Sequence, residues 1–188
     1  MRGLPSIVAS DYAPQPLRSK ASLLVSVAGK SSGMTRLLMH ALRARQLAGL
    51  APAGEWLSLQ GLSAADVARV LREARVVVFP SVEEGVPTFP IEAILSGCVV
   101  LSHGGGPQGE YLPPEFSFME HDVLGLSRAI EGLLAARNLE AWQSVCDRVR
   151  AECLTRYAPE RARASIVQTW RRVLEVADQR SRGKGRIV

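Results

Sequence analysis

Long apolar runs are missing from this chain. None approaches the roughly 18 residues that a membrane-crossing helix needs. The start, MRGLPSIVASDY, has one arginine but no continuous apolar segment and no clean cleavage site, so it does not read as a signal peptide. Cysteine is scarce: Cys98, Cys146 and Cys153 form neither a CxxC pair nor a metal-ligand spacing. They read as small buried hydrophobes in a reducing cytoplasm. Histidine is scarcer still in any useful grouping. His40, His103 and His121 are scattered, which argues against a zinc site. Of the three, His103 sits at a strand end beside a glycine-rich turn. Aromatics are few and read as core residues, so a nucleic-acid surface is not expected. The phosphate loop of nucleoside triphosphatases is also absent. AGKS needs a glycine five positions before Gly29, and Leu24 stands there. No Gly-x-Gly-x-x-Gly follows the first strand, so a dinucleotide-binding dehydrogenase is not indicated.

What is present is a chain of 188 residues, enough for one α/β domain with its own core, and a formal charge of +5. Much of that charge lies late, in RVRAECLTRYAPERARASIVQTWRR and the tail RSRGKGRIV. A basic balance suits anionic partners without choosing among them. The basic tail fits a solvated, frayed end, or a peripheral contact with a membrane carrying a lipid-linked acceptor.

Apolar runs and helical spacings alternate along the chain. Strands are expected at 22–29, 55–61, 75–81, 98–103 and 116–120. A helix over 34–47 carries Met34, Leu37, Leu38, Ala41 and Leu42 at helical spacing. Ser63 caps the next, with Asp66 three residues on and Ala64, Val67, Val70 and Leu71 inward. PIEAILSG is a short helix. Asp122 caps another, carrying Val123, Leu126, Ile130, Leu133 and Leu134. Two more close the chain, one with Trp142, Val145, Cys146 and Val149, the other starting near Pro159 with Ile166, Trp170, Val173 and Leu174. Strands apolar throughout, alternating with helices, predict a parallel sheet covered on both faces. In such a sheet ligands bind beyond the carboxyl ends of the strands, here the loops after residues 28, 60, 80 and 102. The expected division is 1–21 as linker or edge segment, 22–178 as the domain, and 179–188 as a basic tail.

The stretch PSVEEGVPTFPIEA (80–93) concentrates the chemistry. Glu84 and Glu92 stand eight positions apart around a glycine and two prolines. Phe89 precedes a proline and is pushed away from helical angles, so Phe89 is expected as N-cap, Pro90 as the first helical residue and Glu92 as the third. There Glu92 suits the helix dipole, or a bond back to the cap amide, as well as a ligand. Glu84 falls in the loop between a buried strand and a helix. Free amides and the helix start there attract a phosphate. A carboxylate beside a phosphate is unfavourable unless it accepts from hydroxyls, and sugar hydroxyls are good donors. Phosphate and hydroxyls together describe a nucleotide sugar.

FPSVEEGVPTFPIEAILSGCVVLS resembles the donor-binding segment of GT-B retaining glycosyltransferases of the glycosyltransferase 4 type. The resemblance rests on Pro80, Ser81, Glu84, Glu92, Ala93, Gly97 and the strand 98–101. The turn GGGPQGEYL, the approach LSLQGLSAADVARVLREARVVVFPS and the closing TRYAPERARASIVQTWRRVLE are similar to the family too, so the likeness covers residues 22 to 175. It implies a Rossmann-like parallel sheet, the C-terminal half of a GT-B fold. It also implies roles. Glu84, the catalytic candidate, would hold hydroxyls of the donor sugar and Glu92 those of the ribose. Amides of Gly85, Val86 and Thr88 would cradle diphosphate and sugar, and Gln60 and Gly61 would border the base. Lys30 would either touch phosphate or lie in solvent. Transfer of a hexosyl group with retained configuration to a glycan or lipid-linked acceptor would need no cofactor and no bound metal, the nucleotide sugar being substrate. The expected location is cytoplasmic or membrane-peripheral. Two departures stand out. Gly-Val-Pro-Thr-Phe-Pro replaces the family's Gly-Phe-Gly-Leu-Pro, and Pro87 removes one amide donor. The resemblance also covers only the second of two domains, leaving an N-terminal acceptor domain or partner chain to be supplied. A nucleotide-sugar-binding module that turns nothing over by itself has the same sequence features.

Overall fold

The computed structural model describes residues 12–27, 32–80, 88–103, 112–119 and 122–183. In chain order the elements are β1 (Ala21–Val27), α1 (Ser32–Leu47), β2 (Glu55–Leu59), α2 (Ala64–Glu73), β3 (Ala74–Phe79), α3 (Thr88–Leu95), β4 (Val99–His103), β5 (Ser117–Phe118), α4 (Val123–Leu134), α5 (Leu139–Arg156) and α6 (Pro159–Gly183). The five strands form one sheet in the order β2-β1-β3-β4-β5. Every pair is parallel, with Val25 beside Val77 and Val76 beside Val99. The expected parallel α/β sheet is therefore the one observed.

The sheet forms where the sequence is β-branched. All six residues of β3 are buried, which a strand achieves only with both of its faces covered. On one face α1 packs beside α4, and Arg45 grips both carboxylate oxygens of Glu131 across that seam. On the other, α3 packs beside α5 and α2. The three cysteines line this second region as expected. Burial pushes the Cys98 thiol up to about 11 and Cys153 up to about 12, and raises Cys146 as well. None therefore ionises near neutrality, and they serve as packing.

The caps follow their sequence signals. Ser63 accepts from the Asp66 amide at 3.2 Å while its hydroxyl donates to the Asp66 carboxylate, and Asp122 accepts from the Gly125 amide at 2.8 Å. Some inward faces differ from expectation. Ala64 and Leu37 are exposed, and Ala68 is buried beside Val70 and Leu71. β5 shrinks to two residues because Pro114–Phe116 forms a 3-10 turn that delivers Phe116 into the core. The helix α6 continues past residue 178 to Gly183. Its residues Ile166, Trp170, Val173 and Leu174 form an exposed apolar stripe. No helix among the described residues is long and apolar enough to cross a membrane.

Residues 12–20 pack on the domain, with Tyr12, Leu17 and Lys20 buried. The Leu17 amide donates to Gln143 of α5 at 2.8 Å. Lys20 Nζ donates to the carbonyls of Leu71 and Arg72 at the end of α2, both at 2.9 Å. Arg75 donates to the carbonyls of Leu17, Lys20 and Leu133 and to the Ser22 hydroxyl. Two buried cations thus donate to carbonyls at helix ends and at a chain turn. Burial lowers the pKa of both groups.

Candidate functional site at the carboxyl edge

The strand order reverses direction between β1 and β3, since β2 lies on one side of β1 and the later strands on the other. In an open parallel sheet that reversal leaves a crevice beyond the carboxyl ends of the two strands, where ligands bind. The ends in question are Val27 and Phe79, flanked by Leu59 and His103. Of the sequence-derived candidates, Lys30, Glu84, Gly85 and Val86 lie outside the described residues. Chain connectivity alone assigns Lys30 to the segment after β1, and the other three to the segment between β3 and α3.

Gln60 and Gly61 follow β2 directly and are exposed. Gly61 adopts φ +65°, a left-handed turn that frees the chain from the strand. Thr88 is the first residue of α3 and is exposed, so the helix start faces outward. The α3 helix begins two residues before Pro90, which corrects the expected cap. Phe89 lies inside the first turn, its ring 6.2 Å from that of Phe79. This contact fixes the start of α3 against the end of β3. Pro90 tolerates the first turn because its missing amide would be an orphan there.

The shift in helix start changes the setting of Glu92. It is the fifth helical residue, one turn in, and no acid occupies the first turn. The bond back to a cap amide is therefore not its role. Its half-buried carboxyl instead accepts a hydrogen bond from the Tyr12 hydroxyl. Burial holds the carboxyl above the usual carboxylate range, and the phenol draws it partly back. A raised, partly shielded carboxyl next to a ligand edge has the character of a functional group. Tyr12 had no signal in the sequence. It is 80 positions from Glu92, and only the folding of residues 12–20 onto the domain brings them together.

Two clefts formed by described residues lie elsewhere. One of about 490 Å³ runs between residues 14–18 and the start of α5, at the amino edge of the sheet. Another of about 670 Å³ lies between α1 and Trp56. Neither touches Gln60, Gly61, Thr88 or Glu92.

A family model described as "Glycosyl transferases group 1" matches residues 11–136, two thirds of the chain. The chain belongs to this family. No curated protein matches it in sequence. Solved structures with the same fold include the C-terminal domain of a glycosyl transferase group 1 family protein, LpcC, from Francisella tularensis. It superposes with TM-score 0.59 at 11% identity, over 80% of this chain and 97% of that one. Sucrose-phosphate synthase from Thermosynechococcus elongatus gives 0.67 at 17%, over 92% and 52%. HepE from Anabaena, solved with UDP and glucose, gives 0.64 at 12%, over 88% and 55%. At such identities the likeness is one of fold, and it matches a group 1 transferase domain with the GT-B C-terminal architecture. The chain spans about half the length of the sucrose-phosphate synthase and HepE chains.

Proposed function

We propose that the chain is the donor-binding domain of a retaining glycosyltransferase. It holds a nucleotide sugar over the carboxyl ends of β1 and β3. The carrying observation is Glu92, a half-buried carboxyl with raised pKa, one turn into the helix that leaves the strand-order reversal. Membership of the group 1 glycosyl transferases supports the reaction class.

In this reading Glu84 accepts hydroxyls of the donor sugar and Glu92 those of the ribose. The amides of Gly85, Val86 and Thr88 meet the diphosphate at the start of α3, where backbone donors and the helix dipole favour negative charge. Lys30 supplies charge to the same phosphates, and Gln60 and Gly61 border the base. Transfer breaks the bond between the anomeric carbon and the diphosphate oxygen. The acceptor hydroxyl oxygen bonds to that carbon on the same face, its proton passes to the departing diphosphate oxygen, and the nucleoside diphosphate leaves. The transferred group is a hexosyl unit, passed to a glycan or a lipid-linked acceptor in the cytoplasm or at its membrane face. No cofactor or metal takes part.

A second reading keeps the same site but assigns turnover to a partner that carries the acceptor domain. The exposed apolar stripe on α6 favours it.

Replacing Glu84 by alanine tests the assignment. Binding of a nucleotide sugar is expected to weaken about tenfold more than binding of the bare nucleoside diphosphate, from loss of charge-assisted hydrogen bonds worth roughly 1.5–3 kcal/mol. Equal losses for both ligands, read by calorimetry, contradict the role given to Glu84.

A further inference from the structure

Residues 12–17 run alongside α3 in the same direction. Tyr12 meets Glu92 in the second turn of the helix. Pro14 and Gln15 cross its end at Gly97, where an added Cβ would come within 3.1 Å of the Gln15 carbonyl and 3.4 Å of Pro14. Gly97 also needs φ +76°, so this close passage is written into two properties of one glycine. Leu17 is then tied to α5 through Gln143. The segment is pinned beyond Tyr12 at both points, and the Tyr12 ring is 7% exposed within the core. Its hydroxyl is therefore presented to Glu92 by packing rather than by chance contact.

An ionised carboxylate offers about four acceptor positions on its two oxygens, and one phenol occupies one of them. We infer that Tyr12 is a positioning residue of the nucleotide site: its hydroxyl fixes the Glu92 carboxylate and leaves its remaining lone pairs to the hydroxyls of a ribose. This rests on the ribose role given to Glu92 above. A half-buried carboxyl without that donor is easier to protonate, and a protonated carboxyl is a poorer acceptor. Among the described residues, Tyr12 is the titratable group that acts on this carboxyl. The segment 12–17 thereby becomes part of the site, although it precedes every strand of the sheet.

The experiment is calorimetric titration of the whole chain and of Tyr12→Phe with UDP and with 2′,3′-dideoxy-UDP, repeated as the pH is lowered from neutrality. The wild type should favour UDP. Tyr12→Phe should cut that preference about fivefold, as expected for losing one hydrogen bond to a charged group. It should leave dideoxy-UDP affinity unchanged and move the acid loss of UDP binding to higher pH. A merely structural role for Tyr12 would lower both affinities together and leave the pH profile in place. A wild type that favours UDP beside a Tyr12→Phe chain with the same preference and the same pH profile overturns the inference and leaves the donor site standing. A wild type that does not bind UDP, or does not distinguish the two nucleotides, overturns the inference together with the ribose role given to Glu92. If Tyr12→Phe fails to fold, 3-fluorotyrosine at position 12 replaces it. It is a stronger donor of nearly the same shape, and below neutral pH it should raise the preference. An unchanged preference overturns the inference.

Discussion

At the amino edge of the sheet, Lys20 and Arg75 are buried cations whose donors are taken up by backbone carbonyls. At the carboxyl edge, Glu92 is a half-buried anion held by a phenol. Both arrangements take charge out of water, and the difference lies in what is left over. The guanidinium of Arg75 has four acceptors around it inside the domain. The Glu92 carboxylate keeps acceptor capacity beyond the one donor. A charge saturated by its own fold holds the fold together. A charge that is not saturated costs the fold something and is available to a ligand.

The largest effect that would sharpen this contrast is expected at Arg75. Arg75→Met keeps much of the buried stem but removes the donors that Arg75 gives to the carbonyls of Leu17, Lys20 and Leu133 and to the Ser22 hydroxyl. Urea unfolding should show a loss of about 3 kcal/mol. A midpoint within the error of wild type would mean that these contacts contribute nothing net. A smaller effect is expected at Asp122, whose carboxylate caps α4 on the amide of Gly125. Asp122→Ala should cost about 1 kcal/mol in the same assay and leave nucleotide affinity alone. Loss of nucleotide binding in a folded Asp122→Ala chain would contradict the capping role, because α4 starts on the same carboxyl edge as the site.

Most of the fold was legible because it rests on local signals. β-branched strands such as RVVVF and caps at Ser63 and Asp122 declare themselves within a few residues, and strands apolar on both faces imply a covered parallel sheet. The family was legible for the same reason, in the run from Pro80 to Leu101. The start of α3 was misjudged because the rule for the residue before proline spoke against a helix at Phe89. The contact between Phe79 and Phe89 outweighed it. β5 was overestimated because Phe116 reads as a strand residue but reaches the core from a 3-10 turn. Leu37 was placed inward by spacing alone, although the α1 stripe that meets the sheet is narrower. Tyr12 was illegible because no periodicity relates residues 80 positions apart. The same limit hid Lys20 and Arg75, which look like solvated charges in the sequence and are buried by a chain turn.

Glu92→Gln tests the central claim most directly. The amide keeps the shape and can still accept from Tyr12, but it no longer offers a charged acceptor to ribose hydroxyls. Calorimetry of both chains with UDP, GDP, ADP and dTDP is the measurement, with urea unfolding alongside. Because the folded pKa of Glu92 is raised above 4.5, this carboxyl favours the fold when protonated. That contribution is present below the unfolded pKa and is lost as pH rises through the folded one. At neutral pH the variant should therefore be at least as stable as wild type. One nucleoside diphosphate should bind the wild type, weaken on acidification toward the raised pKa, and lose about tenfold in Glu92→Gln. A folded wild-type chain that binds none of the four, or a variant that binds as tightly, contradicts the account.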